Sequence, residues 1–170
     1  RVLVFGTGKS GIGAADLLEE TGAHVILFDG NEKTDKDAVL TKVSHAEDAS
    51  VYAGELPKEV LESLDLVILS PGVPTDIPIV KKFYEMGLPV WGEVELAYRT
   101  SKGRVLAITG TNGKTTTTAL LGKIMSDAED SVFVVGNIGT PYTSKALEMK
   151  ENSTTVAEIS SFQLETIEEF

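Results

Sequence analysis

The stretch ITGTNGKTTTTALL, residues 108–121, sets Gly110, Gly113, Lys114 and four consecutive threonines at the start of an apolar helix. Those residue types suit phosphate chemistry. Backbone N–H groups of a glycine turn cradle phosphate oxygens, Lys114 can pair the β and γ oxygens, and Thr115 can ligate Mg2+. The pattern is Gly110-x-x-Gly113-Lys114-Thr115, shorter than the common G-x-x-x-x-G-K-[ST] loop, because Ile108 stands five places before Gly113. The alternative is a glycine-bearing helix start with an exposed lysine.

A second turn, GTGKSG, spaces Gly6, Gly8 and Gly11 as G-x-G-x-x-G. In that pattern the first glycine permits the turn, the second admits a ligand's phosphates to the backbone, and the third lets helix and strand approach. The helix start then faces an anion with free N–H groups. Asp29 ends the next strand, where an acid can bond a ribose hydroxyl. Taken alone, the turn reads as NAD-binding. Other diphosphates use the same turn, and a tight turn without ligand has the same glycines.

Net charge is −11, distributed as 9 basic against 17 acidic residues in 1–100 and 6 against 9 in 101–170. Such a surface repels nucleic-acid phosphates, and no basic stripe offsets it. Bound phosphate must be held by a local site against that field, which favours a small nucleotide over DNA or RNA. No run approaches the ~18 apolar residues of a membrane span, and no basic-then-apolar leader opens the chain. The absence of cysteine fits a cytosolic protein.

The elements that must position these turns alternate in type. RVLVFG (1–6), HVILFD (24–29), LDLVILS (64–70) and LPVWG (88–92) read as strands, with helices over 10–22, 77–87 and 93–99. After the polar break RTSKG (99–103), strands are expected at 104–109, 131–137 and 154–160 and a helix at 114–128. The fold class is therefore α/β: a Rossmann-like parallel-sheet domain over 1–92, then the beginning of a P-loop-type α/β domain over 93–170. The boundary falls between Gly92 and Gly103. Three strands are few for an open parallel sheet, so the second domain is expected to be truncated.

The residues carry a family likeness. TGTNGKT (109–115) resembles the phosphate loop of the Mur ligases and their relatives, the folylpolyglutamate synthetases. GTGKSG, SPGVP (70–74), GNIG (136–139) and AEISSFQLE (157–165) strengthen the resemblance. E-x-S-S-F-Q-L looks like the D-glutamate-adding branch of that family. The resemblance implies an ATP-dependent C–N ligase of bacterial peptidoglycan synthesis, acting on UDP-N-acetylmuramoyl-L-alanine and D-glutamate through an acyl phosphate. It further implies a cytoplasmic, monomeric enzyme with ATP and Mg2+ as cofactors.

Carried over by position, Gly110, Thr111, Asn112, Gly113, Lys114, Thr115 and Thr116 would hold ATP. Thr115 and Glu158 would ligate Mg2+, and Lys114 with Glu158 would be the catalytic pair. Glu158 alone reads as an exposed acid at a strand end; only the likeness makes it a ligand. Gly8, Lys9, Ser10 and Gly11 would meet the UDP diphosphate, Asp29 the uridine, and Ser70, Pro71 and Gly72 the uracil end. Asn137 and Gln163 would contact the muramoyl-peptide part. Asparagine and glycine also favour turns without any ligand, and Phe162 reads equally as core or site.

Gly30 departs from the family, where a side chain that helps hold the uridine is often found. The rest of the family's metal site, the adenine pocket and the domain that orients D-glutamate are expected beyond Phe170, so these 170 residues alone should not turn over. His24 and His45 are isolated and read as structural or surface residues, and Trp91 as a packing residue between domains. Without clustered His or Cys, zinc has no case. The segments 29–37 and 167–170 read as solvated charge runs. Two other function classes remain at this stage: an NAD-dependent oxidoreductase, which leaves Lys114 and Thr115 unexplained, and a nucleotide-binding regulatory module without chemistry.

Overall fold

Strands covered by helices on both faces read as apolar runs, and the central strands of the first sheet do. β1 (Val2–Phe5) and β2 (Val25–Asp29) are almost wholly buried. With β3 (Ser50–Ala53), β4 (Leu66–Leu69) and β5 (Val90–Gly92) they form one sheet in the order β3-β2-β1-β4-β5, every pair parallel. The computed structural model describes residues 1–44, 49–137 and 139–170. His45 and Ile138, the latter inside GNIG, lie outside the described residues. The chain divides into two units, Arg1–Glu93 and Val94–Phe170.

In the first unit the strand order reverses between β1 and β4, so their carboxyl ends flank a crevice where open α/β sheets bind ligands. α1 (Lys9–Glu20) leaves β1 through the glycine turn. It turns Gly11, Ala14, Ala15, Leu17 and Leu18 inward, small residues first. α2 (Lys36–Leu40) is N-capped by Asp35, whose Oδ1 accepts the Ala38 N–H at 3.0 Å. The charge run at 29–37 therefore contains a helix start. α3 (Lys58–Leu61) and α4 (Pro78–Glu85) complete the unit, α4 opening on a proline whose missing N–H has no intrahelical partner to lose. Leu3, Phe5, Ile26, Phe28, Val67 and Phe83 belong to the core, with the Phe5 and Phe28 rings 4.7 Å apart.

Packing at the first turn is tight. A Cβ on Gly11 would lie 1.9 Å from the Gly6 carbonyl oxygen, a backbone atom that cannot swing aside. Gly6 itself has φ +109°, which favours glycine. A Cβ on Gly8, by contrast, would meet no neighbouring atom within 4 Å.

In the second unit, α5 (Glu93–Thr100, from Val94 on) precedes β6 (Arg104–Ile108), α6 (Lys114–Ala128), β7 (Val132–Gly136) and β8 (Thr154–Glu158). The sheet is parallel with order β6-β8-β7. β8 is buried along its whole length, whereas Arg104 and Ala107 of β6 and Val134 of β7 are exposed. Leu120 and Ile124 of α6 are also exposed. Short 3-10 turns span Thr143–Glu148 and Phe162–Thr166.

One buried charge organises the end of this unit. The Glu95 side chain has no exposed surface. Its carboxylate accepts the Arg99 Nε–H at 2.5 Å and the backbone N–H groups of Glu168, Glu169 and Phe170 at 2.9 to 3.2 Å. Residues 167–170, expected as a solvated run, are thus anchored through their backbone while the Glu168 and Glu169 side chains meet Arg99. Burial is the largest single influence on the Glu95 carboxyl and pushes it up. The Glu168 amide, the Arg99 guanidinium and the amides of Phe170 and Glu169 together outweigh burial and hold it below its ordinary value of 4.5.

Two stability predictions follow from these contacts. A depressed folded-state value means that ionised Glu95 stabilises above pH 4.5, and that this contribution is lost as the pH falls through the lower folded-state value. Glu95→Gln should cost about 1–3 kcal/mol at pH 7 in urea melts. The gap to the unaltered chain should shrink on acidification; a constant gap would show that the charge contributes nothing. Gly11→Ala should cost about 3 kcal/mol through overpacking. Gly8→Ala should cost no more than about 1 kcal/mol, as a changed N-cap, and melting both variants checks the contrast.

Candidate functional site

Two clusters form at the carboxyl ends of the strands, one in each unit. In the first, Gly6 N–H donates to Phe28 O at 2.8 Å and Ser70 N–H to Phe5 O at 3.0 Å, tying the turn after β1 to both neighbouring strands. A Cβ on Gly6 would lie 2.6 Å from Ser70 Oγ, so Ser70 packs directly on the turn. Gly8, Lys9, Pro71 and Gly72 are exposed around it, and Ser10 and Gly11 open α1. The first turn of α1 has no acidic residue and no side-chain cap, which leaves its positive end uncompensated. The geometry therefore gathers Gly8, Lys9, Ser10, Gly11, Asp29 and Ser70 at one strand-end edge. Gly30 is exposed beside Asp29.

Asp29 is braced from two sides. Its Oδ2 accepts the Thr7 hydroxyl at 2.6 Å and its Oδ1 the Asn31 N–H at 3.0 Å. Thr7, the residue between the first two glycines, was not among the expected site residues. A hydroxyl inside a glycine turn, one strand away from an acid, is the signal that marks it.

In the second unit the loop after β6 is shaped by Gly110, at φ +144°, and Gly113, at φ +80°. Gly113 is the N-cap of α6, in the left-handed region, and no side chain caps the helix. Lys114 folds back so that Nζ donates to Gly110 O at 2.7 Å. Its ammonium thus lies against the loop from which it springs. Thr111, Asn112, Thr115 and Thr116 are exposed, and no acid stands in the first turn of α6. The helix end and the lysine supply positive potential, and the first turn of α6 has no acid to offset it, as suits phosphate binding.

Glu158 ends β8, in register with Ile108 of β6 and Gly136 of β7. It is 1% exposed, which overturns the reading of an exposed strand-end acid. Oε1 accepts the Asn137 Nδ2–H at 3.1 Å, and Oε2 is buried with no hydrogen-bond partner among the described residues. The Asn137 N–H donates to the Glu158 carbonyl at 2.8 Å. A buried carboxylate oxygen without a donor is costly unless something outside the fold meets it. Among the described residues no three His, Cys, Asp or Glu side chains group as a metal cage. One carboxylate and a nearby loop hydroxyl suit Mg2+, which keeps water and phosphate oxygens in its shell and needs few protein ligands.

Gln163 is buried, and its Oε1 accepts the Ser160 N–H at 2.9 Å and the Ser160 hydroxyl at 3.1 Å, bracing the corner after β8. Phe162 is 70% exposed and so is not a core residue. His24 is exposed.

Comparison with known proteins gives two family matches: the MurD-like N-terminal domain of Mur ligases over residues 1–92, and the Mur ligase middle domain over residues 108–169. A UDP-N-acetylmuramoylalanine–D-glutamate ligase of Lachnospira eligens is 56% identical over 99% of this chain and 37% of its own length. The enzyme of that name from Lachnoclostridium phytofermentans is 53% identical over 100% of the chain and 37% of its own length. The chain therefore spans a little over a third of the relatives it matches. Among solved structures, a murein peptide ligase of Psychrobacter arcticus covers 94% of the chain at TM-score 0.54 and 20% identity, aligned over 36% of its own length. That likeness concerns the fold. With one family domain matched around each glycine turn, the chain belongs to the Mur ligase family.

Proposed function

We propose that the chain provides the UDP-substrate unit and the opening of the ATP unit of a ligase joining D-glutamate to UDP-N-acetylmuramoyl-L-alanine. The observation that carries this reading is the buried Glu158 carboxylate, with its partnerless Oε2, in register with the strand that feeds the Gly110–Thr116 loop. The names of the relatives supply the amino acid and the nucleotide sugar. An oxidoreductase accounts for the first turn only. It gives no task to Lys114 or Glu158.

In the reaction, the terminal carboxylate of the UDP substrate attacks the γ-phosphorus of ATP. The bond from that phosphorus to the ADP oxygen breaks, leaving an acyl phosphate. The amine of D-glutamate adds to the carbonyl and loses a proton, and the C–O bond to phosphate then breaks. Gly110, Thr111, Asn112, Gly113 and Thr116 position the triphosphate through backbone and hydroxyl groups, and Lys114 offsets charge on its β and γ oxygens. Thr115 and Glu158 hold Mg2+, which when bound neutralises charge on the transferring phosphoryl group.

In the first unit, Gly8, Lys9, Ser10 and Gly11 hold the UDP diphosphate, while Asp29, Ser70, Pro71 and Gly72 line the nucleoside end. Asn137 and Gln163 serve the muramoyl-peptide end. The work is that of a monomeric enzyme in the bacterial cytoplasm. No helix among the described residues is long and apolar enough to cross a membrane.

Calorimetric titration of the chain with UDP-N-acetylmuramoyl-L-alanine and, separately, with NADH tests the first unit. Binding of the UDP compound alone is expected, and binding of NADH alone would overturn the reading. For the second unit, Lys114→Ala in the full-length protein should weaken Mg2+·ATP binding on the order of 10- to 100-fold, the worth of a charged hydrogen bond. Affinity for the UDP compound should stay within threefold. An unchanged ATP affinity would remove the loop from the assignment.

A further inference from the structure

Glu158 is a buried acid with a single side-chain donor among the described residues, and that donor is neutral. No lysine or arginine pairs with it among those residues. An amide N–H orients a carboxylate without cancelling its charge, whereas a cation would both orient it and compete with a metal ion. Oε1 is held by Asn137 and Oε2 is left without a partner. A carboxylate fixed in that way offers one oxygen in a defined direction.

The backbone fixes Asn137 in turn. Its N–H donates to the Glu158 carbonyl at 2.8 Å, extending the β7–β8 pairing one step past the end of β7. Gly136 makes the crossing possible: its φ is +117°, and a Cβ there would lie 2.2 Å from the Glu158 carbonyl oxygen. The chain leaving β7 thus runs directly against Glu158, and Asn137 is the first residue able to place a side chain over it.

We propose that Asn137 is a positioning residue for Glu158, orienting the carboxylate so that Oε2 meets the Mg2+ carried by ATP. The proposal rests on the phosphate-site reading of the loop after β6, and it gives Asn137 a task separate from contact with the muramoyl-peptide substrate. Groups that orient a metal ligand typically contribute 10- to 100-fold to metal affinity when removed. A pure substrate contact contributes nothing to metal affinity.

The test uses Mn2+ as a paramagnetic stand-in for Mg2+, titrated by electron paramagnetic resonance into the full-length protein with ATP at fixed concentration. Asn137→Ala and the similarly sized Asn137→Leu should each raise half-saturating Mn2+ by about tenfold or more. Their melting temperatures should stay close to that of the unaltered chain. In a Glu158→Gln background the Asn137 substitutions should have no further effect, because the side chain through which they act has lost its charge. Mn2+ binding unchanged by both substitutions, with weakened binding of UDP-N-acetylmuramoyl-L-alanine, would overturn the proposal and leave Asn137 a substrate contact only. Equal losses with and without the Glu158 carboxylate would overturn it as well. Failure of Mn2+ and ATP to bind the unaltered full-length protein would overturn the phosphate-site reading itself, and the proposal with it.

Discussion

Parallel, in-register pairing of three strands is the constraint on which the second unit depends. Because β8 lies between β6 and β7, the residues Ile108, Glu158 and Gly136 come level at one edge. All three chains must leave the sheet there, and exits from adjacent parallel strands crowd one another. Gly136 relieves the crowding after β7, where a Cβ would lie 2.2 Å from the Glu158 carbonyl oxygen, while Gly110 and Gly113 turn the chain after β6 through positive φ. The carboxylate of the central strand, Glu158, ends at the same edge as the uncapped start of α6. Phosphate-binding geometry and a buried acid therefore arise from one packing problem.

The first unit meets that problem with a different electrostatic balance. Its turn sits at the reversal of strand order between β1 and β4, where no crossover helix blocks the strand ends. There, Lys9 and the uncapped start of α1 supply the positive potential, and the nearest acid on β2, Asp29, is tied down by a hydroxyl and an amide. In the second unit the acid is left half-satisfied instead, and the lysine leans on its own loop. Both clusters work within a chain of net charge −11, so each must create a local field opposite to the global one.

Much of this arrangement was legible beforehand, for a physical reason. β1, β2 and β4 are buried on both faces, and double burial writes an unbroken apolar run into the chain. β3 left no such mark: it is a four-residue edge strand, half-buried throughout, and opens on Ser50. The short α2 and α3 escaped for want of enough turns to show a helical period. Site residues on glycine turns were legible because turn and chemistry share the same letters. The burial of Glu158, the brace from Thr7 to Asp29 and the internal use of Gln163 were not, since each depends on which residues lie next to each other across strands and corners. Glu95 was invisible in the same way: a glutamate in an amphipathic helix gives no sign that distant amides will converge on it.

The interlock between Gly6 and Gly11 bears on how such turns change over evolutionary time. Gly11 is required by the Gly6 carbonyl, and Gly6 by its own φ and by the Ser70 side chain, whether or not a phosphate is present. A descendant that exchanged its ligand, or lost it, would keep both glycines merely to stay folded. Drift would show first at Gly8, Lys9 and Thr7, where the fold exacts little and the ligand or its neighbouring acid exacts much. Divergence at those three positions, set against constancy at the other two, is the record in which a change of ligand would be written.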